Sequence, residues 1–155
     1  MAKPQVVQVV IGADHKGFAL KQELIAVLTD WGYSVKDVGT YSDQRTDFPP
    51  IAFSVAQLVT KRPKITVGVL LCGSGIGMAI AANKVKGARA ALVMNTAMAT
   101  QGVEHDQANI LVLPALYLTT RQAKQVVKAF LSAHPDRDPA YHRRVKLITK
   151  FERIA

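Results

Sequence analysis

Residues 71–78 read LCGSGIGM and put the chain's one cysteine, Cys72, at the head of three alternating glycines, Gly73, Gly75 and Gly77. The continuous apolar run Thr66 to Leu71 precedes this turn and an Ala- and Ile-rich stretch follows it, so a buried strand is expected to feed a helix here. Glycines in such a turn let successive amides point into one concavity, and a helix start adds partial positive charge, which suits an anion or an oxyanion. Dipoles of this kind are expected to lower the Cys72 thiol pKa and make it a base or nucleophile. The alternative for a cysteine at a strand end is a small buried hydrophobe. Ser74 is expected either to cap the following helix or to donate a hydrogen bond to a developing oxyanion.

Two acid-histidine dipeptides, Asp14-His15 and His105-Asp106, fall at the end or the entrance of predicted strands. A carboxylate and imidazoles around a thiolate could hold zinc, but the pairs lack the i, i+4 spacing of common zinc helices, and general acid-base work on a small anionic substrate fits better. A dinucleotide site would need G-x-G-x-x-G with an acid about 20 residues on. Here the spacing is G-x-G-x-G, and residues 91–100 hold no Asp or Glu. Lys84 lies too far along the chain to serve a Walker-type phosphate loop. Neither a metal nor a cofactor is therefore expected.

Positioning these residues requires an alternation of strands and helices, and the hydrophobic pattern supplies one. Val6 to Ile11, Tyr33 to Val38, Thr66 to Leu71, Ala90 to Met94 and Ile110 to Leu113 read as strands. Helical stretches are expected from Lys16 to Trp31, from Pro49-Pro50 to Pro63, from Gly75 to Lys86, from Thr96 to about Val103, from Thr119 or Thr120 to Ser132, and from Pro139 through Phe151. No Asn-Gly or Asp-Gly hairpin joins the strands, so the connections are right-handed crossovers. The predicted fold is α/β: a Rossmann-like three-layer α/β/α sandwich around a five-stranded parallel sheet of order 2-1-3-4-5, forming a single domain over residues 1–155. The first four residues and the polar stretch from His134 to Pro139 read as the only loose segments. Ligands of such sheets bind beyond the strands' carboxyl ends where the winding reverses, which predicts that residues 12–15 and 72–77 share one crevice.

The 155 residues are 49% apolar and 20% charged, with no apolar run long enough to span a membrane and no export signal at the start, so a cytoplasmic protein without a membrane partner is expected. Net charge is +9, and between Arg121 and Ala155 nine Lys/Arg face three Asp/Glu. That balance suits nucleic acid, an anionic surface or a small phosphorylated ligand, or is simply a solvated helix face. Arg143, Arg144, Lys146, Lys150 and Arg153 could track phosphates, but aromatic stacking residues are sparse and no recognition-helix pattern stands out, so no nucleic-acid partner is expected.

The segments GADHKGFALK (12–21), DVGTYSDQRTDFP (37–49), CGSGIGMAIAANKVKGARAALV (72–93), HDQANILVL (105–113) and HRRVKLI (142–148) resemble the ribose-5-phosphate isomerase B family, which also includes the galactose-6-phosphate isomerase subunits. The resemblance runs in order from about Val7 to Glu152. It implies a metal-free aldose-ketose isomerase working through a cis-enediolate on a sugar phosphate, with active sites between the subunits of a homodimer or homotetramer. By that likeness Cys72 is the base that moves a proton between C2 and C1, Ser74 stabilises the enediolate where threonine is usual, and the amides of residues 73–77 form the anion hole. His105 of a second copy opens the sugar ring, aided by Asp14. His15 and Arg144 hold the phosphate, Asn109 contacts the sugar or the enediolate, and Asp106 lines the substrate pocket where asparagine is usual.

Departures from the family's pattern bear on the substrate. Leu116 and Ala140 occupy positions where arginine is common, Phe48 replaces a tyrosine and Tyr141 a histidine. Two charges of the usual phosphate clamp are absent from those positions: either Arg137 or Arg143 supplies the lost charge from a shifted loop, or the pocket takes a different sugar phosphate or binds phosphate weakly. The leading substrate is ribose 5-phosphate; the alternatives are a tetrose phosphate, allose 6-phosphate or galactose 6-phosphate, and, behind these, a non-catalytic anion- or nucleic-acid-binding relative on the same fold. In the galactose-6-phosphate enzymes the resemblance implies cysteine and histidine on different chains, whereas this chain carries both.

Overall fold

The computed structural model describes Val6 and residues 8–155. The expectation of a loose N-terminus, and the Val7 position of the first predicted strand, lie outside the described residues. In chain order the elements are β1 (Gln8–Ala13), α1 (Phe18–Asp30), β2 (Ser34–Asp37), α2 (Phe48–Lys61), β3 (Thr66–Cys72), α3 (Ile76–Ala82), β4 (Ala90–Leu92), α4 (Thr96–Asp106), β5 (Ile110–Pro114), α5 (Thr120–Ser132) and α6 (Pro139–Ile154). All strand pairs are parallel, as the crossover pattern requires.

Two apolar layers enclose the sheet. On one face Val9, Ile11, Val69, Leu71, Leu111 and Leu113 pack with residues of α1, α4 and α5. On the other, Val10, Leu70, Cys72, Ile110 and Val112 pack with α2 and α3. The strict alternation of consecutive β1 and β3 residues between these layers is the period-2 geometry of a strand buried on both sides.

The sheet order is β2-β1-β3-β5-β4, which corrects the predicted 2-1-3-4-5. The reason is burial. Every residue of β5 is buried, whereas β4 is a three-residue strand with each residue half-buried. The more apolar strand takes the interior place and the short alanine-rich one the edge. This exchange brings the chain leaving β5 alongside the end of β3: Ala115 N–H donates to the Cys72 carbonyl (2.8 Å) and Leu116 N–H to the Gly73 carbonyl (3.1 Å).

Helix α3 stops at Ala82, four residues short of the expected Lys86. The Asn83 side chain pairs with the backbone of Ala90 in both directions, Nδ2 to its carbonyl at 2.9 Å and Oδ1 from its N–H at 2.8 Å, and so fixes a turn into β4. Helix α4 runs to Asp106, past the expected Val103, so His105 and Asp106 sit in its last turn. Helix α5 starts as expected at a capping box in which Thr119 and Gln122 satisfy each other's backbone amides.

Candidate active site

Beyond the carboxyl ends of β1 and β3, residues 13–17 and 72–77 come together as the switch-point rule predicts. Asp14 N–H donates to the Leu71 carbonyl at 3.1 Å, locking the two strand ends side by side. The Asp14 carboxylate is buried, and its Oδ1 accepts the amides of Lys16 (3.0 Å) and Gly17 (3.1 Å), turning the chain into α1. His15 Nδ1 accepts the Thr46 amide at 3.3 Å. In its neutral form the ring therefore carries its hydrogen on Nε2, a donor for an anionic ligand.

The three loop glycines are needed for three different reasons. Gly75 has φ +76°, a conformation that L side chains rarely adopt. A Cβ on Gly77 would stand 2.5 Å from Phe48 Cζ, because the outer edge of that ring reaches the turn. A Cβ on Gly73 would stand 2.9 Å from Lys16 Cδ and 3.2 Å from Leu116 Cδ1, whose side chains cover it.

Cys72 ends β3 with 5% of its surface exposed. Gly75 N–H donates to its Sγ at 3.0 Å. The expectation of a lowered thiol pKa is corrected here. Burial raises the Cys72 pKa above its ordinary value; the amides of Met78, Gly75 and Ser74 pull the other way, and the Asp14 charge adds a further push upward. Desolvation outweighs the dipoles because the sulfur sits inside the α2–α3 layer of the core. The amides that the sequence assigned to a substrate oxyanion are thus turned in part on the sulfur itself. Ser74 Oγ accepts the Ile76 amide at 3.3 Å and keeps its own hydrogen free to donate.

A pH dependence follows with a definite sign. If the thiolate is the working base, the raised pKa means that kcat/KM rises with pH through neutrality and is still rising near pH 8.5, the ordinary value of a free thiol being about 8.5. Initial rates between pH 6 and 9.5 check this, and a plateau already reached by pH 7 would contradict it.

His105, Asp106, Asn109 and Arg144 lie elsewhere. Strand register pairs Cys72 with Pro114 and Gly68 with Ile110, so the start of β5 is about 13 Å down the sheet from the sulfur. Asn109 sits at that amino end, where its carbonyl accepts Gly68 N–H at 2.9 Å. Its buried side chain brackets the turn before β4, accepting Arg89 N–H at 2.8 Å and donating to the Gly87 carbonyl at 2.9 Å. Within this chain the Asn109 side chain therefore has a structural role at that turn. His105 stacks on Tyr141 with ring centroids 4.1 Å apart and 5° between the planes, and the Arg144 guanidinium lies 5.6 Å from the same Tyr141 ring. The loop before α6 returns to this end as well: Asp136 N–H donates to the Glu104 carbonyl at 2.9 Å, which anchors the backbone next to Arg137 beside His105. Asp106 is exposed on the rim of a groove of about 870 Å³ between α6 and the turn before β4.

The residues singled out from the sequence thus fall in two groups at opposite ends of one sheet, the first with Asp14, His15 and residues 72–77, the second with His105, Tyr141 and Arg144. Among the described residues, no cluster of three His, Cys, Asp or Glu could hold a metal ion. No helix among them is long and apolar enough to cross a membrane.

Residues 9–148 match the family described as Ribose/Galactose Isomerase. The chain belongs to this family. It is 37% identical over 145 residues to the ribose-5-phosphate isomerase B of Escherichia coli, covering 94% of this chain and 96% of that one. It is equally identical, over 144 residues, to a probable ribose-5-phosphate isomerase B of Mycoplasma genitalium, covering 92% and 94%. The solved structure of ribose-5-phosphate isomerase B from Mycoplasma genitalium with bound ribulose 5-phosphate superposes with a TM-score of 0.92 at 35% identity, over 97% of this chain and 99% of that one. Family membership accounts for the fold and for the glycine turn. The structure places two further side chains at this turn: Phe48, noted in the sequence only as standing where tyrosine is usual, reaches Gly77, and Lys16, which sequence reasoning did not single out, passes Gly73.

Proposed function

We propose that the protein interconverts ribose 5-phosphate and ribulose 5-phosphate at a site shared by two copies of the chain. The observation that carries this reading is a cysteine buried in an amide-lined turn beside Asp14 and His15, in a chain similar end to end to proteins named ribose-5-phosphate isomerase B. Ring opening comes first: His105 of the second copy gives a proton to the ring oxygen while Asp14 takes the anomeric hydroxyl's proton, leaving the open-chain aldehyde. The Cys72 thiolate then removes the C2 proton. The C–H electron pair becomes the C1=C2 double bond and the carbonyl oxygen becomes the enediolate oxygen, stabilised by the Ser74 hydroxyl and by loop amides. A proton passes from O2 to O1, and the Cys72 thiol returns its proton to C1, giving the ketose with Cys72 again a thiolate. His15 of the first copy and Arg144 of the second hold the phosphate, and Asp106 of the second borders the sugar.

Separation of the two half-sites supports the shared site, since a residue about 13 Å down the sheet cannot act on the same sugar carbon as Cys72. So do the apolar surfaces beside them. Ile76 and Ile80 on α3 and Leu147, Phe151 and Ile154 on α6 are exposed, Phe151 by 67% and Ile154 by 78%. Contiguous apolar faces of this kind mark surfaces that self-associate. The metal-stripped protein should therefore turn over ribose 5-phosphate faster than tetrose or hexose phosphates in a panel assay. A clear preference for another sugar phosphate would move the assignment to that sugar and make Leu116, Ala140 and Asp106 the residues to test first. No turnover of any sugar phosphate would overturn the reading.

A further inference from the structure

We infer that Lys16 binds the anionic group of the substrate at the Cys72 half-site, and so sets the preference for phosphorylated over free sugar. This rests on the proposed isomerase reading and adds a residue to it.

Three observations converge on this side chain. Its backbone is fixed, because Lys16 N–H is held by Asp14 Oδ1 at 3.0 Å in the same turn that presents His15. Its stem has a defined path: Cδ passes so close to Gly73 that a Cβ there would sit 2.9 Å away, and 3.2 Å from Leu116 Cδ1. Lys16 is exposed, and among the described residues no carboxylate lies within ion-pairing distance of its ammonium. A lysine whose methylenes are packed while its head has no ion partner has lost part of its rotamer freedom without gaining a counter-charge. The ammonium is two bonds beyond a Cδ that lies against the first glycine of the turn that holds Cys72.

Chemistry at that position favours an anion. Lys16 supplies a point charge with three donors, and His15 next to it supplies an Nε2–H because Nδ1 is taken by Thr46. The neighbouring Leu116 offers 65% of its surface but no polar atom. Lys16 is thus the side chain covering Gly73 that can neutralise a phosphate, and Leu116 confines the lysine stem.

Lys16→Met tests this, since methionine keeps an unbranched apolar stem over Gly73 and deletes the charge. KM for ribose 5-phosphate is expected to rise roughly ten- to a hundredfold, the loss of a charge-assisted contact, with the larger share of the effect in KM rather than kcat. The ratio of kcat/KM for ribose 5-phosphate over ribose should fall by a similar factor. Adding Leu116→Arg to Lys16→Met, which returns a cation to the same glycine, should recover much of the loss. An unchanged KM and selectivity ratio in Lys16→Met would overturn the inference. Calorimetric titration with inorganic phosphate separates it from the functional reading. Weaker phosphate binding in Lys16→Met than in the unmodified protein supports the role of Lys16 even if no sugar phosphate is turned over. Equal phosphate binding by the two, or none by the unmodified protein, overturns it.

Discussion

Replacing Cys72 with alanine is expected to lower turnover by roughly 10²- to 10⁴-fold, the range contributed by a positioned general base, and to abolish exchange of the sugar's C2 hydrogen with solvent. The fold should survive. Cys72 is the last residue of β3, its backbone carbonyl bonded to Ala115 N–H, and alanine keeps that bond while deleting one buried sulfur, a cost on the order of 1 kcal/mol. Cys72→Ser is the sharper control. Its hydroxyl can still accept the Gly75 amide now donated to sulfur, so the loop stays satisfied while the readily ionised group is gone. Proton exchange followed by NMR in deuterated solvent, alongside thermal unfolding, checks both halves of the expectation. Near-normal exchange in Cys72→Ala would remove the thiol from the mechanism.

The second large effect is on stability, at a place that no catalytic reasoning would reach. Lys21 is wholly buried, its Nζ bonded to both Asp37 oxygens at 2.6 Å and to the Thr40 carbonyl at 2.7 Å, with the rings of Phe18 and Tyr41 at 5.7 and 5.3 Å. Asp37→Ala would leave that ammonium in the core with one carbonyl for company. The expected loss is about 3–5 kcal/mol, the usual consequence of removing one partner from a buried ion pair. Activity should fall with it, because the segment beyond Asp37 backs the turn that carries Asp14 and His15: Gly39 accepts Ala13 N–H at 2.8 Å and Thr40 N–H donates to the Ala13 carbonyl at 2.7 Å. Replacing both members, Lys21→Met with Asp37→Leu, should return much of the lost stability, since no charge is then stranded. Denaturant unfolding of the single and double variants measures this, and a loss below about 1 kcal/mol for Asp37→Ala would mean that the pair is not what holds α1 to β2.

The particular residues show why some of this is readable from sequence and some is not. The apolar run of β3 and the glycines after it announce a buried strand, a turn and a helix, and local chemistry alone fixes them. Strand order is a competition between segments: β5 displaced β4 from the interior because it buries all of its residues, and that comparison is invisible to a rule about winding order. The Cys72 pKa failed for a related reason. Amide dipoles are a local property that the G-x-G-x-G spacing reveals, whereas burial under α2 and α3 is a tertiary one, and the tertiary contribution is larger. Nothing local marks Lys21 as buried, because its partner Asp37 arrives from the end of β2, 16 residues on. Lys16 escaped notice beside His15 because only the path of its stem over Gly73 distinguishes it from any exposed lysine. Asn109 illustrates the reverse, a polar residue in a family-like motif whose amide is engaged with the turn at Gly87 and Arg89.

On the proposed mechanism, one working site needs Cys72 from one copy and His105 from another. Subunit mixing tests it most directly. Cys72→Ala and His105→Ala variants, each inactive alone, are unfolded together in equal amounts, refolded and assayed. A random pair of chains then offers an intact Cys72 and an intact His105 to the same site roughly one time in four, so activity should recover to about a quarter of the unmodified protein's. Activity no higher than that of the two variants assayed separately would contradict the shared site.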